Sequence, residues 1–205
     1  MKIRSVLFLT LAAAASSASA QTVLIGDFEN SLGAWEREGG AVNDPLTFST
    51  TTGVTNGTYS VLARVNPGYQ QFLKTFDFSL SNDLLRQGGT LTYDITIPTG
   101  EFTGAGGWFE TFAAWTGQVT NYANQIVPIA NDGTTKSITI TLPTVPQTQD
   151  FYGIFIGTNN DPSWTVPAGG ASVYIDNVRF TPVPEPASMA VLGLGLAAFR
   201  KRRKG

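Results

Sequence analysis

Histidine and cysteine are absent from all 205 residues, so the side chains able to do chemistry are carboxylates, hydroxyls, amides and aromatic rings. Without histidine there is no imidazole base, and without cysteine there is no thiolate nucleophile and little basis for a zinc site. A carboxylate pair is what remains for catalysis. Such a pair serves a glycosidase as acid and base only at a set separation in space; no linear spacing here supplies one, and solvated surface acids are the plainer reading. The aromatics point to binding. Trp108, in Gly104-Ala105-Gly106-Gly107-Trp108-Phe109, then Trp115, Tyr122, Trp164 and Tyr69 lie near turn signals. Flat rings in such places stack on sugar faces, while the nearby amides of Asn121, Asn124, Gln125 and Asn159 bond hydroxyls. In a strand spanning 108–118, Trp108 and Trp115 fall on opposite faces, so one belongs to the core. Trp164 follows Asn159-Asn160-Asp161-Pro162-Ser163 and is the ring placed best for solvent.

The elements that must position these residues are strands. Thr90-Leu91-Thr92-Tyr93-Asp94-Ile95-Thr96-Ile97 alternates strictly, as does Ser137-Ile138-Thr139-Ile140-Thr141-Leu142, and period two predicts half-buried strands. Residues 23–28, 46–50, 59–65, 70–78, 108–118, 151–157 and 172–180 complete about nine or ten short strands. Between them stand turn signals such as Asn56-Gly57, Asn66-Pro67-Gly68, Gln87-Gly88-Gly89 and Asn131-Asp132-Gly133. This pattern predicts an all-β, two-sheet antiparallel sandwich. One helical turn is expected at residues 81–86, with Ser81 as its N-cap and Gly88 as its stop. In the last strand the apolar phase slips from Val173 and Ile175 to Val178 and Phe180, which places a bulge at Asp176-Asn177.

The two ends of the chain are addresses. Lys2 and Arg4, an apolar run from Val6 to Ala15 and Ala18-Ser19-Ala20 form a secretory signal over residues 1–20, with the mature body starting at Gln21. At the other end Val183-Pro184-Glu185-Pro186 precedes an uncharged run from Ala187 to Phe199 and the cluster Arg200-Lys201-Arg202-Arg203-Lys204. Thirteen helical residues reach roughly 20 Å, short of the roughly 30 Å hydrocarbon core, and five cations stop transfer and hold the terminus in the cytoplasm. Residues 182–205 closely resemble the PEP-CTERM sorting signal of bacteria. The resemblance implies recognition at the Pro-Glu-Pro by an exosortase, a membrane-embedded protease-transpeptidase. The body would pass through the secretion machinery, be anchored transiently in the inner membrane, and reach the cell surface or exopolysaccharide matrix.

Setting both signals aside changes the charge. The net charge of −2 includes seven terminal cations and Glu185, so residues 21–180 carry 14 acids against six bases. An acidic body without a basic patch excludes nucleic acid as a partner. With no disulfide available, this exported domain must be held by its core alone or by a core and a metal.

Leu24-Ile25-Gly26-Asp27-Phe28-Glu29 with Trp35, then Thr55-Asn56-Gly57-Thr58-Tyr59-Ser60-Val61-Leu62, and finally Val173-Tyr174-Ile175-Asp176-Asn177-Val178-Arg179-Phe180 resemble the galactose-binding-like jelly rolls of carbohydrate-binding modules. The resemblance covers residues 22–181, within a domain expected over 21–181. It implies a structural calcium held by Glu29 and Asp176 with Asn56 or Thr55 and nearby carbonyls, although a neutral oxygen at 55/56 stands where some relatives carry an acid. The expected function is a non-catalytic surface or matrix protein that contacts glycan. A purely structural sandwich is the alternative, and a small polysaccharide-active enzyme the more distant one.

Overall fold

The computed structural model describes residues 20–37, 45–75, 84–103, 111–112, 115–116, 120–121, 124–125, 131–144, 152–159 and 165–183. Thirteen strands run in chain order: β1 (Val23–Gly26), β2 (Glu36–Arg37), β3 (Thr47–Ser49), β4 (Ser60–Val65), β5 (Tyr69–Thr75), β6 (Gly89–Thr96), β7 (Thr111–Phe112), β8 (Trp115–Thr116), β9 (Thr120–Asn121), β10 (Asn124–Gln125), β11 (Thr135–Leu142), β12 (Tyr152–Asn159) and β13 (Ala171–Pro182). They form a six-stranded sheet in the order β11-β6-β13-β4-β3, with β1 also on β13, and a five-stranded sheet in the order β2-β5-β12-β8-β9. A two-stranded ribbon pairs β10 with β7.

Alternation explains the layers. In β11 Ile138, Ile140 and Leu142 are buried while Ser137, Thr139 and Thr141 are exposed, and the antiparallel register sets Ile138 opposite Tyr93 and Ile140 opposite Leu91. Every second residue of both strands therefore enters one core. Val61, Ala63 and Val65 of β4 and Val173 and Ile175 of β13 join from the same sheet; Leu73 of β5 and Ile154 and Ile156 of β12 join from the other. The result is the expected antiparallel sandwich, with its apolar residues between two sheets.

Three local expectations need correction. Residues 108–118 do not make one strand: Thr111–Phe112 pairs with β10, whereas Trp115–Thr116 pairs with β12 and β9. Trp108, whose face relative to Trp115 the sequence addressed, lies outside the described residues. The helical turn is a 3-10 segment, Leu85–Gln87, preceded by Leu84 with no side-chain cap; Ser81 lies outside the described residues. Its end at Gly88, φ 78°, is as expected, because a left-handed C-terminal residue favours glycine. Five of the strands hold only two residues, and such short pairs leave no periodic trace.

The last strand behaves as its phase slip predicts. Asn177 adopts φ 58°, a left-handed conformation that re-phases the strand, so that Val173, Ile175, Asp176, Val178 and Phe180 are all buried. Residues before the irregularity pair with β4 and residues after it with β1. Residues 1–19, within the expected secretory signal, and the tail beyond Val183 lie outside the described residues, among which no helix is long and apolar enough to cross a membrane.

Because β13 stands between β6 and β4 and also carries β1, deleting residues 172–180 removes the ladder partner of three strands and the buried Val173, Ile175, Val178 and Phe180. At about 1.5–3 kcal/mol for each large apolar side chain, the loss matches the whole stability of a 5–15 kcal/mol domain. A truncated chain of residues 21–171 is expected to show no cooperative denaturant transition; near-parental stability would refute the central role of β13.

Candidate functional site

Two features of the sandwich gather polar groups. The first is the turn at residues 55–59, gripped by one carboxylate that follows β1 and one at the irregularity within β13. Asp176, fully buried, accepts the backbone N–H of Thr55 at 2.6 Å and of Asn56 at 2.8 Å on Oδ2, and that of Asn177 at 2.6 Å on Oδ1. Glu29 Oε1 accepts the N–H of Thr58 at 2.7 Å and of Tyr59 at 3.3 Å. Glu29 is aimed by unusual backbone: its neighbours Phe28 and Asn30 have φ of 52° and 57°. A left-handed aromatic residue costs about 1–3 kcal/mol. Burial of the Phe28 ring edge-on to Trp35, whose indole N–H donates to Ile25 O at 2.6 Å, offsets that cost.

Gly57 closes the grip. It has φ 70°, and a Cβ there would overlap Glu29 Oε1, so both the backbone and the carboxylate demand glycine. Behind the turn lies Asp94, an acid the alternating strand β6 turns away from the core. Its Oδ2 accepts Thr55 Oγ1–H at 2.7 Å and Asn177 Nδ2–H at 2.9 Å, and Ser137 Oγ–H donates to Oδ1. The Thr55 hydroxyl has one proton, and the 2.7 Å partner takes it; its approach to Asp176 Oδ2 at 3.2 Å carries none. Burial pushes the Asp176 carboxyl above its ordinary value, and the N–H groups of Thr55, Asn56 and Asn177 pull it back.

Of the residues expected to hold a metal, Glu29, Asn56 and Asp176 therefore meet at one turn. Both acids are engaged with N–H groups, and Asn56 contributes its own N–H. Asn177 Oδ1 is buried there with no hydrogen-bond partner. Among the described residues no three acids group closely enough to hold a metal by themselves.

The second feature is the outer face of the five-stranded sheet. Ile154 and Ile156 of β12 enter the core, so Gly153, Phe155 and Gly157 occupy the opposite face. Phe155 is buried there, outside the core cluster. Register gives the partners of this strand across the sheet, with a shift between Ile156 and Gly157. Gly153 stands opposite Trp115, and Trp115 opposite Asn121; Phe155 stands opposite Lys74, and Lys74 opposite Glu36. Gly157 stands opposite Gln71 and Asn159 opposite Tyr69.

Of the aromatics singled out in the sequence, Trp115 and Tyr69 lie on β8 and β5 of this sheet, where Trp115 pairs with Asn121 and Tyr69 with Asn159. Trp108, Tyr122 and Trp164 lie outside the described residues, and Asn124 and Gln125 belong to the separate ribbon. Missed were Asp94, Lys74, Glu36 and Phe155. The Gly-x-Phe-x-Gly alternation of 153–157 was visible as a strand, but its partners in register were not.

Residues 182–204 match the PEP-CTERM protein-sorting motif. The chain carries a sorting signal. Val183 ends the described residues and is 54% exposed; Pro184, Glu185, Pro186 and the cations Arg200, Lys201, Arg202, Arg203 and Lys204 lie beyond them. No curated protein is similar to the chain in sequence. Among solved structures the body resembles a family 27 carbohydrate-binding module of Caldicellulosiruptor saccharolyticus in complex with mannohexaose, at 15% identity and a TM-score of 0.54, covering 82% of this chain and 100% of that one. A xylan-binding domain of family 22 gives 14% identity and a TM-score of 0.53, covering 82% and 98%. A cyclase from Fischerella gives 18% and 0.50, covering 80% and 89%. At these identities the likeness establishes the carbohydrate-binding-module β-sandwich fold, which has hosted more than one chemistry.

The grip of Asp176 is testable. Asp176→Ala strips the acceptor from three N–H groups, each worth about 1–3 kcal/mol when left buried without a partner. The variant is expected to lose at least about 2 kcal/mol, or about 4 °C or more for a domain of this size, in thermal unfolding followed by circular dichroism. Asp176→Asn, which keeps one acceptor oxygen, should lose less.

Proposed function

We propose that the chain is an exported bacterial surface protein whose sandwich binds glycan without catalysis, across the outer face of the five-stranded sheet. One observation supports this reading: strand register pairs Gly153 with Trp115, Trp115 with Asn121, Gly157 with Gln71 and Asn159 with Tyr69 around Phe155. An aromatic supplies a stacking plane, and amides supply both donors and acceptors for hydroxyls. Two of the fold's solved neighbours are a module in complex with mannohexaose and a xylan-binding domain, which agrees with an extended polysaccharide as ligand. The sorting motif supports delivery to the surface through an exosortase-type enzyme, with the apolar run from Ala187 to Phe199 as a transient anchor and the five cations as its stop. Absence of histidine and cysteine removes the commonest bases and nucleophiles.

The test is a glycan array probed with the whole chain. Trp115→Ala should weaken the strongest signals at least about tenfold, as removal of a binding aromatic does, while the unfolding temperature stays near that of the parent. An empty array together with self-assembly of the protein would favour a purely structural role, and release of reducing sugar would favour an enzyme.

Calcium is part of the proposal, at the 55–59 turn. The oxygens beside the turn suit a hard cation: the carboxylates of Glu29 and Asp176, carbonyl groups, and the unpartnered, buried Asn177 Oδ1. Bound calcium would neutralise two acids brought to one turn and tie both sheet ends to it. At a hundred times its dissociation constant calcium adds about 2.7 kcal/mol to stability, so unfolding temperature should rise in calcium and fall in EDTA; a curve unmoved by either would refute the site.

A further inference from the structure

The 55–59 turn contains the chain's single Asn-Gly pair, Asn56-Gly57. In this pair the backbone nitrogen after the asparagine can attack the side-chain amide, because glycine places no Cβ beside the nitrogen. What ordinarily protects such a nitrogen is a hydrogen bond that holds its proton and its position. In this turn the N–H groups of Thr55 and Asn56 are held by Asp176 and those of Thr58 and Tyr59 by Glu29. Gly57 N alone among the five makes no hydrogen bond, and Gly57 is exposed. The turn also forbids the residue that would slow the reaction, since a side chain at 57 would overlap Glu29 and face φ 70°.

We propose that Asn56-Gly57 is a spontaneous deamidation site that converts the turn from a neutral strap into an acidic one after export. Gly57 N gives its proton to solvent base and bonds to Asn56 Cγ. The bond from Cγ to the side-chain nitrogen breaks, and ammonia leaves with a proton from water. Water then opens the succinimide ring at either carbonyl, giving aspartate or isoaspartate; the balance is one water consumed and one ammonia released.

The consequence is electrostatic and geometric. A new carboxylate at 56 stands on the residue whose own N–H holds Asp176, one residue before Gly57, against which Glu29 is pressed. Like charges brought this close oppose one another, and the isoaspartate form also adds a backbone methylene that misplaces the flanking N–H groups. Both products weaken the hold of Glu29 and Asp176 on the turn. The strap of residues 50–59, which packs Gly53 over Tyr174 and Thr55 over Asp94, is then released from the outer face of the six-stranded sheet.

The whole chain, incubated warm at mildly alkaline pH in EDTA, digested and mapped by mass spectrometry, should convert Asn56 to a mixture of aspartate and isoaspartate ahead of Asn30, the asparagine before Ser31. Unfolding temperature should fall in step with conversion. Fresh Asn56→Asp protein should melt below the parent, and Asn56→Gln protein should hold its melting temperature through the same incubation. Asn56 remaining an amide while Asn30 converts would overturn the proposal by itself, whatever the variants do. A conversion at Asn56 that leaves the melting temperature unchanged would overturn its effect on the strap.

Discussion

Asp176 gives up its hydration when β13 is buried, and the fold compensates it with the N–H groups of Thr55, Asn56 and Asn177. That exchange organises more of the molecule than any single apolar contact. To face those amides, β13 must break its alternation, which Asn177 does by entering the left-handed region. The same residue sends its amide to Asp94 on β6, while Thr55 reaches the same carboxylate from the strap. One carboxylate thus couples the irregular strand, its neighbour in the sheet and a loop separated from it by about 120 residues. A buried charge demands such partners, because its cost without them is several kcal/mol.

The break in β13 also decides how the sandwich closes. Before it the strand pairs with β4; beyond it the strand pairs with β1, with Val23 opposite Phe180. Thr22 and Thr181 share a hydrogen bond of 2.7 Å between their hydroxyls, so the first and last residues of the body stand side by side. The sorting motif starts at the next residue. One outer surface is crossed by the 50–59 strap; on the other the buried Phe155 stands between Gly153 and Gly157.

Strain sits where the polar groups converge. Phe28, Asn30 and Asn177 are the described non-glycine residues with positive φ, and each flanks a carboxylate of the grip. Such conformations persist only when packing or hydrogen bonding over-determines them. For Phe28 the support is its buried contact with Trp35; for Asn177 it is the bond of its side chain to Asp94. The core thus holds the backbone that aims Glu29, which places a surface turn under the control of aromatic packing.

Much of this was legible in the residues alone, for local reasons. Strict alternation in 90–97 and 137–142 determined two strands and which of their faces is buried, because a pleated strand sends successive side chains to opposite sides whatever its partners. The slip from Ile175 to Val178 determined the irregularity at Asp176-Asn177 by the same rule. The terminal motif was readable because a sorting signal is a linear pattern. Tertiary structure decided the rest. Residues 111–116 divide between two sheets since pairing partners, not local propensity, define a two-residue strand. Trp115 meets Asn121, and Lys74 meets Phe155, only through register across strands distant in sequence. Asp94 joined the grip because β6 and β13 are neighbours, and an acid in an alternating strand is indistinguishable from a solvated one until the strap that covers it has folded.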